Sequence, residues 1–128
     1  MHASCLWQHL QMQGFLQHAR GTIPYMAQIL ARLSVPAEML YILPIESDFF
    51  VNGLFRSRDN GISSARGPWQ FLKDTAETRT VALRTSGNID CDERSDWRKA
   101  TAGAGRYLRY LLQRFDNDPN MAVLAYHW

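Results

Sequence analysis

Apolar residues recur along most of this chain at intervals of three and four residues, which is the spacing of amphipathic α-helices. Leu6 to Ala19 carries such a stripe and predicts a first helix, which Gly21 ends. Pro24 suits the first turn of a second helix, whose apolar positions continue to Leu33. The first part of the chain is therefore predicted to be helical.

A loop with no periodic pattern is expected from Asn52 to Gly67, and its length indicates a functional segment. A further helix is predicted to start near Pro68. It carries Trp69 and Phe71, and at least one of them is expected to be a core residue. Residues 80–90 then have a composition compatible with one short hairpin.

The longest periodic pattern lies near the C-terminus. Ser95 or Asp96 caps this helix, which is predicted to run to about Phe115. Asp118 then caps a last helix that has Pro119 at its first position. All long periodic segments are helical, so the predicted fold class is all-α. The inner face of the long helix is predicted to comprise Ala100, Ala104, Tyr107, Leu108, Leu111 and Leu112.

One carboxylate stands apart from this pattern, in the stretch from Val35 to Phe50. The stretch begins as an amphipathic helix with Pro36 in its first turn, and Pro44 breaks it because proline lacks a backbone N–H. Directly after the break, Glu46 lies among apolar residues. A carboxyl group in such surroundings is desolvated, which raises its pKa and suits it to general acid catalysis. The alternative is a glutamate that simply points outward from a helix end.

Length and composition predict one globular domain. The chain has 128 residues, 46% of them hydrophobic, and can bury a core. The net charge of +2 is too small to favour nucleic acid, and no apolar run can span a bilayer, so we expect neither a nucleic-acid partner nor membrane insertion. The first residues lack the features of a signal peptide, so an exported protein would have lost its targeting segment or would carry it outside this sequence.

The two cysteines, Cys5 and Cys91, leave two states open. They can form one disulfide in an oxidising compartment, or they can be two free buried thiols, which is the state that we expect. The histidines have no zinc-ligand spacing, and we predict no metal and no cofactor.

Several short clusters occur in an order that resembles the family 23 lytic transglycosylases. Leu43-Pro-Ile-Glu-Ser-Asp-Phe49 is similar to the catalytic-Glu motif of that family, and Ala65-Arg-Gly-Pro-Trp-Gln-Phe71 is similar to its Gly-Leu-(Met/Trp)-Gln motif. Each cluster alone is a weak signal, but their order and spacing are specific. The resemblance is strongest to the membrane-bound D-type branch, and it implies a lysozyme-like α fold. The other matching clusters are Asp74-Thr-Ala76, Asp92-Glu-Arg-Ser-Asp96, Arg106-Tyr-Leu108 and Ala125-Tyr126.

The resemblance implies a role for each matching position in the cleavage of peptidoglycan glycan strands. Glu46 would protonate the glycosidic oxygen between N-acetylmuramic acid and N-acetylglucosamine. Its carboxylate would then take the proton of the muramoyl C6 hydroxyl, which attacks the anomeric carbon and leaves a 1,6-anhydro end. Gln70 would bind the sugar, Tyr126 would orient Glu46 or the substrate, and Ser47 and His127 would also contact the substrate. The implied location is the bacterial periplasm or cell envelope.

The C-terminal end departs from the family pattern. The third motif of the family reads Ala-Tyr-Asn, whereas Tyr126 is followed here by His127-Trp128. The family also continues with further helices that complete one wall of the cleft. We therefore expect one catalytic domain over residues 1–128, truncated at its C-terminus, with a helical segment in 1–23 and the motif-bearing core in 24–128.

Other functions stay open at this point. No second carboxylate near Glu46 is well suited to activate water, and a transglycosylase needs none because its substrate supplies the nucleophile. A goose-type lysozyme-like hydrolase would instead leave reducing ends. A catalytically weak peptidoglycan-binding or assembly module would bind without turnover. A small helical DNA-binding protein is disfavoured by the near-neutral charge.

Overall fold

The computed structural model describes residues 19–42, 65–88 and 91–126. Within these ranges there is no strand, apart from one isolated bridge between Arg66 and Phe71, so the all-α prediction is confirmed. Residues Ala37–Ile42 and Glu93–Ser95 form 3₁₀ segments. The α-helices of the described residues are α1 (Ala19–Arg32), α2 (Lys73–Ala76), α3 (Trp97–Arg114) and α4 (Pro119–Tyr126).

Helix α3 lies at the centre, and both α1 and α4 pack against it. Asp96 caps its N-terminus as predicted, because its carboxylate accepts hydrogen bonds from the backbone N–H groups of Arg98 and Lys99. The helix ends where Asp116 and Asn117 take positive φ angles of 54° and 61°, which these two residue types tolerate. Its buried face comprises Trp97, Ala100, Thr101, Gly103, Ala104, Gly105, Leu108, Leu111 and Leu112.

Small residues on α3 allow its neighbours to approach closely. A Cβ atom added at Gly105 would lie 2.5 Å from Cδ1 of Leu33 and 3.3 Å from Cδ2 of Leu30. A Cβ atom added at Gly103 would lie 3.1 Å from the side chains of Val81 and Leu83. Gly105 therefore allows close packing between helices, whereas Gly103 accommodates a segment that is not helical.

Helix α4 begins as predicted. Pro119 is its first residue, and the Asp118 carboxylate accepts hydrogen bonds from the backbone N–H groups of Asn120, at 3.0 Å, and Met121, at 3.4 Å. Ala122 is fully buried on the side that faces the core. The cap and the buried side together fix the direction in which this helix leaves α3.

Helix α1 starts earlier than the sequence pattern indicates. Pro24 lies inside this helix and does not open it, and Gly21 does not end a preceding helix. Pro24 is the sixth residue of this helix, so it removes one intrahelical hydrogen bond, and the helix nevertheless continues beyond it. Met26 and Leu30 are fully buried, as their spacing predicts. Most of the first predicted helix lies outside the described residues.

The helix predicted after Pro36 is a 3₁₀ segment, Ala37–Ile42. Met39 is buried and Leu40 is half-buried, so the predicted apolar face is confirmed for these two residues. The stretch that follows, residues 43–64, lies outside the described residues, and the break predicted at Pro44 therefore stays a prediction.

The helix predicted to start near Pro68 is wrong. Residues 67–70 form a turn, and α2 begins only at Lys73. Gly67 and Gln70 have positive φ angles of 79° and 54°, which a right-handed helix excludes. Trp69 and Phe71, each no more than 3% exposed, are both core residues.

The hairpin predicted near residues 80–90 is absent from the described part of the chain, which here ends at Asn88. The backbone N–H of Leu83 donates to the Ala76 carbonyl at 2.8 Å. The N–H of Arg84 donates to the Glu93 carboxylate, and the Glu93 N–H donates back to the Arg84 carbonyl, each at 2.8 Å. The backbone groups that a hairpin would pair are therefore bonded to other elements.

The expectation of two free thiols is wrong, since Cys91 is disulfide-bonded. Cys5, the other cysteine of the sequence, lies outside the described residues. The disulfide thus constrains the chain directly before Asp92, which is a buried residue.

A buried hydrogen bond ties the 67–70 turn to α3. The indole Nε1–H of Trp69 donates to the Thr101 hydroxyl at 2.9 Å. Thr101→Val keeps the shape of the side chain but removes this acceptor, so we expect the free energy of unfolding to fall by about 1–3 kcal/mol in urea denaturation. Thr85→Val, which removes a hydroxyl bonded to Glu77 at the surface, should change it by less than about 0.5 kcal/mol. Equal losses in the two variants would contradict this account.

Candidate functional site

The turn that carries Gln70 is closed at both ends by backbone pairing. The Arg66 N–H donates to the Phe71 carbonyl at 3.2 Å, which makes the isolated bridge. Inside the turn, the backbone N–H of Gln70 donates to the Gly67 carbonyl at 3.2 Å, and its side-chain Nε2 donates to the same carbonyl at 2.7 Å. The side-chain amide of Gln70 is therefore held against the turn in one orientation.

Only glycine fits at position 67. Its φ of 79° lies in the left-handed region, where a Cβ atom is strained. A Cβ atom built there would lie 1.7 Å from the backbone oxygen of Arg94, which leaves no space for any side chain. The turn therefore packs directly onto the backbone of residues just before α3.

A buried charge cluster holds the two ends of this turn. Nη1 of Arg66 and Nη2 of Arg94 each lie 2.8 Å from Oδ2 of Asp92, and all three side chains are fully buried. Arg66 also donates to the Ser86 carbonyl at 2.8 Å, and Arg94 donates to the Phe71 carbonyl at 3.0 Å. One carboxylate thus connects the residue that begins the turn with the residue that ends it.

The charge cluster also decides what Asp92 can do chemically. Burial acts to raise the pKa of Asp92, but hydrogen bonds from the side chain and the backbone N–H of Arg94, and from the N–H of Ser86, outweigh it, and the pKa lies below its ordinary value. A carboxyl group with a lowered pKa is ionised at neutral pH and has no proton to give. Asp92 is therefore a structural residue.

Tyr126 lies at the end of α4 in a cluster of aromatic side chains with Trp69, Phe71 and Tyr107. Its ring centroid lies 5.5 Å from that of Tyr107, 5.9 Å from that of Phe71 and 6.4 Å from that of Trp69. The Tyr126 hydroxyl donates a hydrogen bond to the Trp69 carbonyl at 2.8 Å. Burial, with a smaller contribution from Tyr107, raises the pKa of Tyr126 well above its ordinary value, so this hydroxyl keeps its proton.

The structure joins two of the predicted site residues. Gln70 and Tyr126 are connected through Trp69, whose carbonyl directly precedes the Gln70 N–H in the chain. The other three predicted site residues, Glu46, Ser47 and His127, lie outside the described residues, and their roles stay predictions.

Arg66 is the residue that sequence reasoning missed. Arg66 falls in the segment predicted to be a loop without a periodic pattern, but it is fully buried and ion-paired. Its place next to Gly67, in a motif that otherwise consists of apolar and amide side chains, is the one signal that could have identified it. Its ion-pair partner is 26 residues away, beyond the reach of a local pattern.

The described residues of the site can form hydrogen bonds, but none of them is a carboxyl group that could donate a proton. Gln70 is partly exposed and neutral, Tyr126 is protonated, and Asp92 is consumed by its two arginines. Within the described ranges, no group of three or more histidine, cysteine, aspartate or glutamate side chains could hold a metal ion. In the same ranges, no helix combines the length and the apolar character that a membrane crossing requires.

Comparison with known proteins gives one match. The family model described as the transglycosylase SLT domain matches residues 25–128 of this chain. No curated protein and no solved structure matches this chain. The matched range includes the Gln70 turn, the charge cluster and Tyr126, and it also includes the Glu46 stretch.

The close packing around Gly67 can be tested by a substitution that adds one methyl group. Gly67→Ala adds left-handed strain and a clash with the Arg94 backbone oxygen, so we expect a loss of at least about 3 kcal/mol in the free energy of unfolding. Gly87→Ala is the control, because a Cβ atom there meets no atom within 4 Å. Chemical denaturation of both variants measures the difference, and similar stabilities would show that the turn does not pack as described.

The charge cluster can be tested by removing the negative charge of Asp92. Asp92→Asn leaves the buried guanidinium groups of Arg66 and Arg94 without their carboxylate, and we expect a loss of about 3–5 kcal/mol. Asp96→Asn is the matched control, since asparagine caps a helix about as well as aspartate. Urea denaturation at pH 7 should separate the two variants clearly.

The stabilities of the parent and of Asp92→Asn are predicted to depend differently on pH. Because the pKa of Asp92 is lower in the folded state than in the unfolded chain, its contribution is present above the unfolded-state pKa of about 3.9 and is lost as pH falls through the folded-state value. Between about pH 5 and pH 2, the parent should therefore lose stability more steeply than Asp92→Asn. Identical acid limbs would contradict the assigned direction of the shift.

Proposed function

Since this chain belongs to the transglycosylase SLT domain family, whose activity is the degradation of peptidoglycan, we propose that it is a lytic transglycosylase that cleaves the bond between N-acetylmuramic acid and N-acetylglucosamine. The match over residues 25–128 is the observation that carries this proposal. The all-α arrangement of the described residues agrees with the lysozyme-like fold of that family. Assignment to the membrane-bound D-type branch is a further proposal, and it rests on the motif resemblance alone.

The proposed reaction uses one carboxyl group twice. Glu46 donates its proton to the glycosidic oxygen as the bond from that oxygen to the anomeric carbon breaks. The muramoyl C6 hydroxyl then forms a bond to the anomeric carbon, and its proton passes to the Glu46 carboxylate. The carboxyl group is regenerated, no water is consumed, and the products are a 1,6-anhydro end and a free N-acetylglucosamine end.

The described residues support this assignment indirectly. Asp92 is a buried carboxylate, but it is ionised and paired with two arginines. It therefore cannot act as the general acid. The proposal therefore assigns proton transfer to Glu46 alone. Attack by a hydroxyl group of the bound sugar gains the advantage of an intramolecular step, which removes the need for a second carboxylate.

Two neutral groups are proposed to hold the glycan strand. Gln70 projects from a turn that is fixed by its own hydrogen bonds to Gly67, which favours a constant position of its amide. Tyr126 is close to Gln70, because its hydroxyl donates to the carbonyl of Trp69, the residue before Gln70. Ser47 and His127 are proposed as further substrate contacts on the strength of the motif resemblance alone.

We also propose the bacterial periplasm or cell envelope as the location, because the substrate lies there. The disulfide at Cys91 supports this proposal, since disulfides persist in oxidising compartments and are rare in the cytosol. The action is proposed to need neither a metal nor a cofactor, because Glu46 and the substrate supply every proton and bond of the reaction.

The experiment that tests the function is mass spectrometry of the soluble products from purified sacculi. The parent should release anhydro-muropeptides, and Glu46→Gln should release them at least about 10²-fold more slowly, because a general acid contributes that much to the rate. Glu38→Gln is the matched control, since Glu38 is an exposed glutamate in the 3₁₀ segment that precedes Glu46 in the chain. Products with reducing ends would identify a hydrolase of goose-type lysozyme character, and binding without products would identify a glycan-binding module.

A further inference from the structure

Helix α3 carries an unbalanced charge. Its 18 residues include five basic side chains and no aspartate or glutamate. The whole chain has a net charge of +2, so the residues outside α3 are net negative. Near the helix start, Lys99 is ion-paired with Glu93 at 3.1 Å, and the Arg98 guanidinium lies 5.3 Å from the ring centroid of Trp97. The other three basic residues are Arg106, Arg109 and Arg114.

These three arginines lie on the outer side of the C-terminal half of α3. Arg114 is exposed, and Arg106 and Arg109 are half-buried. Tyr110, whose surface is 44% exposed, lies about one turn after Arg106 and about one turn before Arg114, so the three share one side of the helix. We call Arg106, Arg109, Tyr110 and Arg114 the basic patch.

No carboxylate of a described residue forms an ion pair with the basic patch. Because α3 contains no acidic residue, the stabilising pairs that helices form at spacings of three and four residues are absent from it. Arg106 donates from Nε to the Val81 carbonyl at 3.2 Å, but a carbonyl is neutral and leaves the charge in place. The positive charge of the patch is therefore available to an anion from outside the chain.

The residue types of the basic patch favour an acidic peptide. A guanidinium group presents a planar set of N–H donors that matches both oxygens of a carboxylate. An exposed tyrosine ring supplies apolar contact area at a low cost in conformational entropy. We propose that the basic patch binds the carboxylates of the peptide stems that peptidoglycan strands carry, with the Tyr110 ring against the apolar part of the stem.

The basic patch lies beside the aromatic cluster of the candidate site. Tyr107, three residues before Tyr110 on α3, packs against Tyr126 and Phe71 with ring centroids 5.5 Å and 6.3 Å apart. A peptide of about four residues reaches up to about 14 Å, which exceeds the diameter of a helix, about 10–12 Å. One strand can therefore hold its sugar at Gln70 and place a stem on the patch. The proposal rests on the proposed function for the identity of the strand, but it requires no bond cleavage.

The test is a binding measurement on purified sacculi, made in the Glu46→Gln background so that the sacculi stay intact. The double variant Arg109→Gln with Arg114→Gln removes two charges, keeps the bond from Arg106 to Val81, and uses a residue with good helix propensity. Its apparent Kd for sacculi should be about three- to tenfold higher at low salt, because two surface charge pairs are lost. At about 1 M salt the difference should vanish, since charges are screened within about 3 Å.

A matched control separates the patch from net charge. Arg32→Gln with Arg79→Gln removes two charges from exposed arginines outside α3, and its apparent Kd should stay within about twofold of the parent value. Sacculi whose stems have been removed by an amidase should bind the parent and the Arg109 and Arg114 double variant equally. Equal losses in the control, or a difference that persists on stripped sacculi, would overturn the proposal.

Two further outcomes distinguish the basic patch from the catalytic proposal. Weaker binding to vesicles of phosphatidylglycerol in the double variant, with unchanged binding to sacculi, would identify a lipid surface as the partner and overturn the proposal. Peptide-dependent binding by a chain that releases no products when Glu46 is present would support the basic patch and reject the proposed cleavage alone. Cleavage of sacculi with equal binding by the parent and the double variant would reject the patch alone.

Discussion

The shape of the Gln70 turn depends on one buried carboxylate, that of Asp92. Burying a charge is unfavourable unless it is paired and hydrogen-bonded, and Asp92 meets both conditions by binding Arg66 and Arg94. The same two arginines define the turn, because one begins it and the other donates to the Phe71 carbonyl that closes it. The charges cannot separate without leaving a bare charge in the core, so the ends of the turn are fixed in a single arrangement.

The parts of the fold that sequence patterns predicted well are those whose stability is local. Helices α3 and α4 are capped by Asp96 and Asp118, whose side chains accept hydrogen bonds from backbone N–H groups two and three residues further on. Such caps are visible in any short window of sequence. The predicted start of α1 was wrong because Pro24 is also a local signal, and packing against α3 overrides it.

The turn itself could not be derived from periodicity. Trp69 and Phe71 are apolar and close together, which predicts a helix, but Gln70 between them is left-handed without being a glycine. Glutamine is not a residue type that signals this conformation, and the turn is held by contacts with residues far along the chain. The resemblance to a family, and not the pattern of residue types, selected Gln70 and Tyr126 as site residues.

The long sequence separation of these contacts has a consequence for the order of folding. The turn is held by bonds that span 26 residues to Asp92, 32 residues to Thr101 and 57 residues to Tyr126. Contacts of such separation form after local helices, because the intervening chain must first lose its entropy. The geometry of the Gln70 turn therefore arises last, when α4 docks, and a nascent chain has its helices before it has this turn.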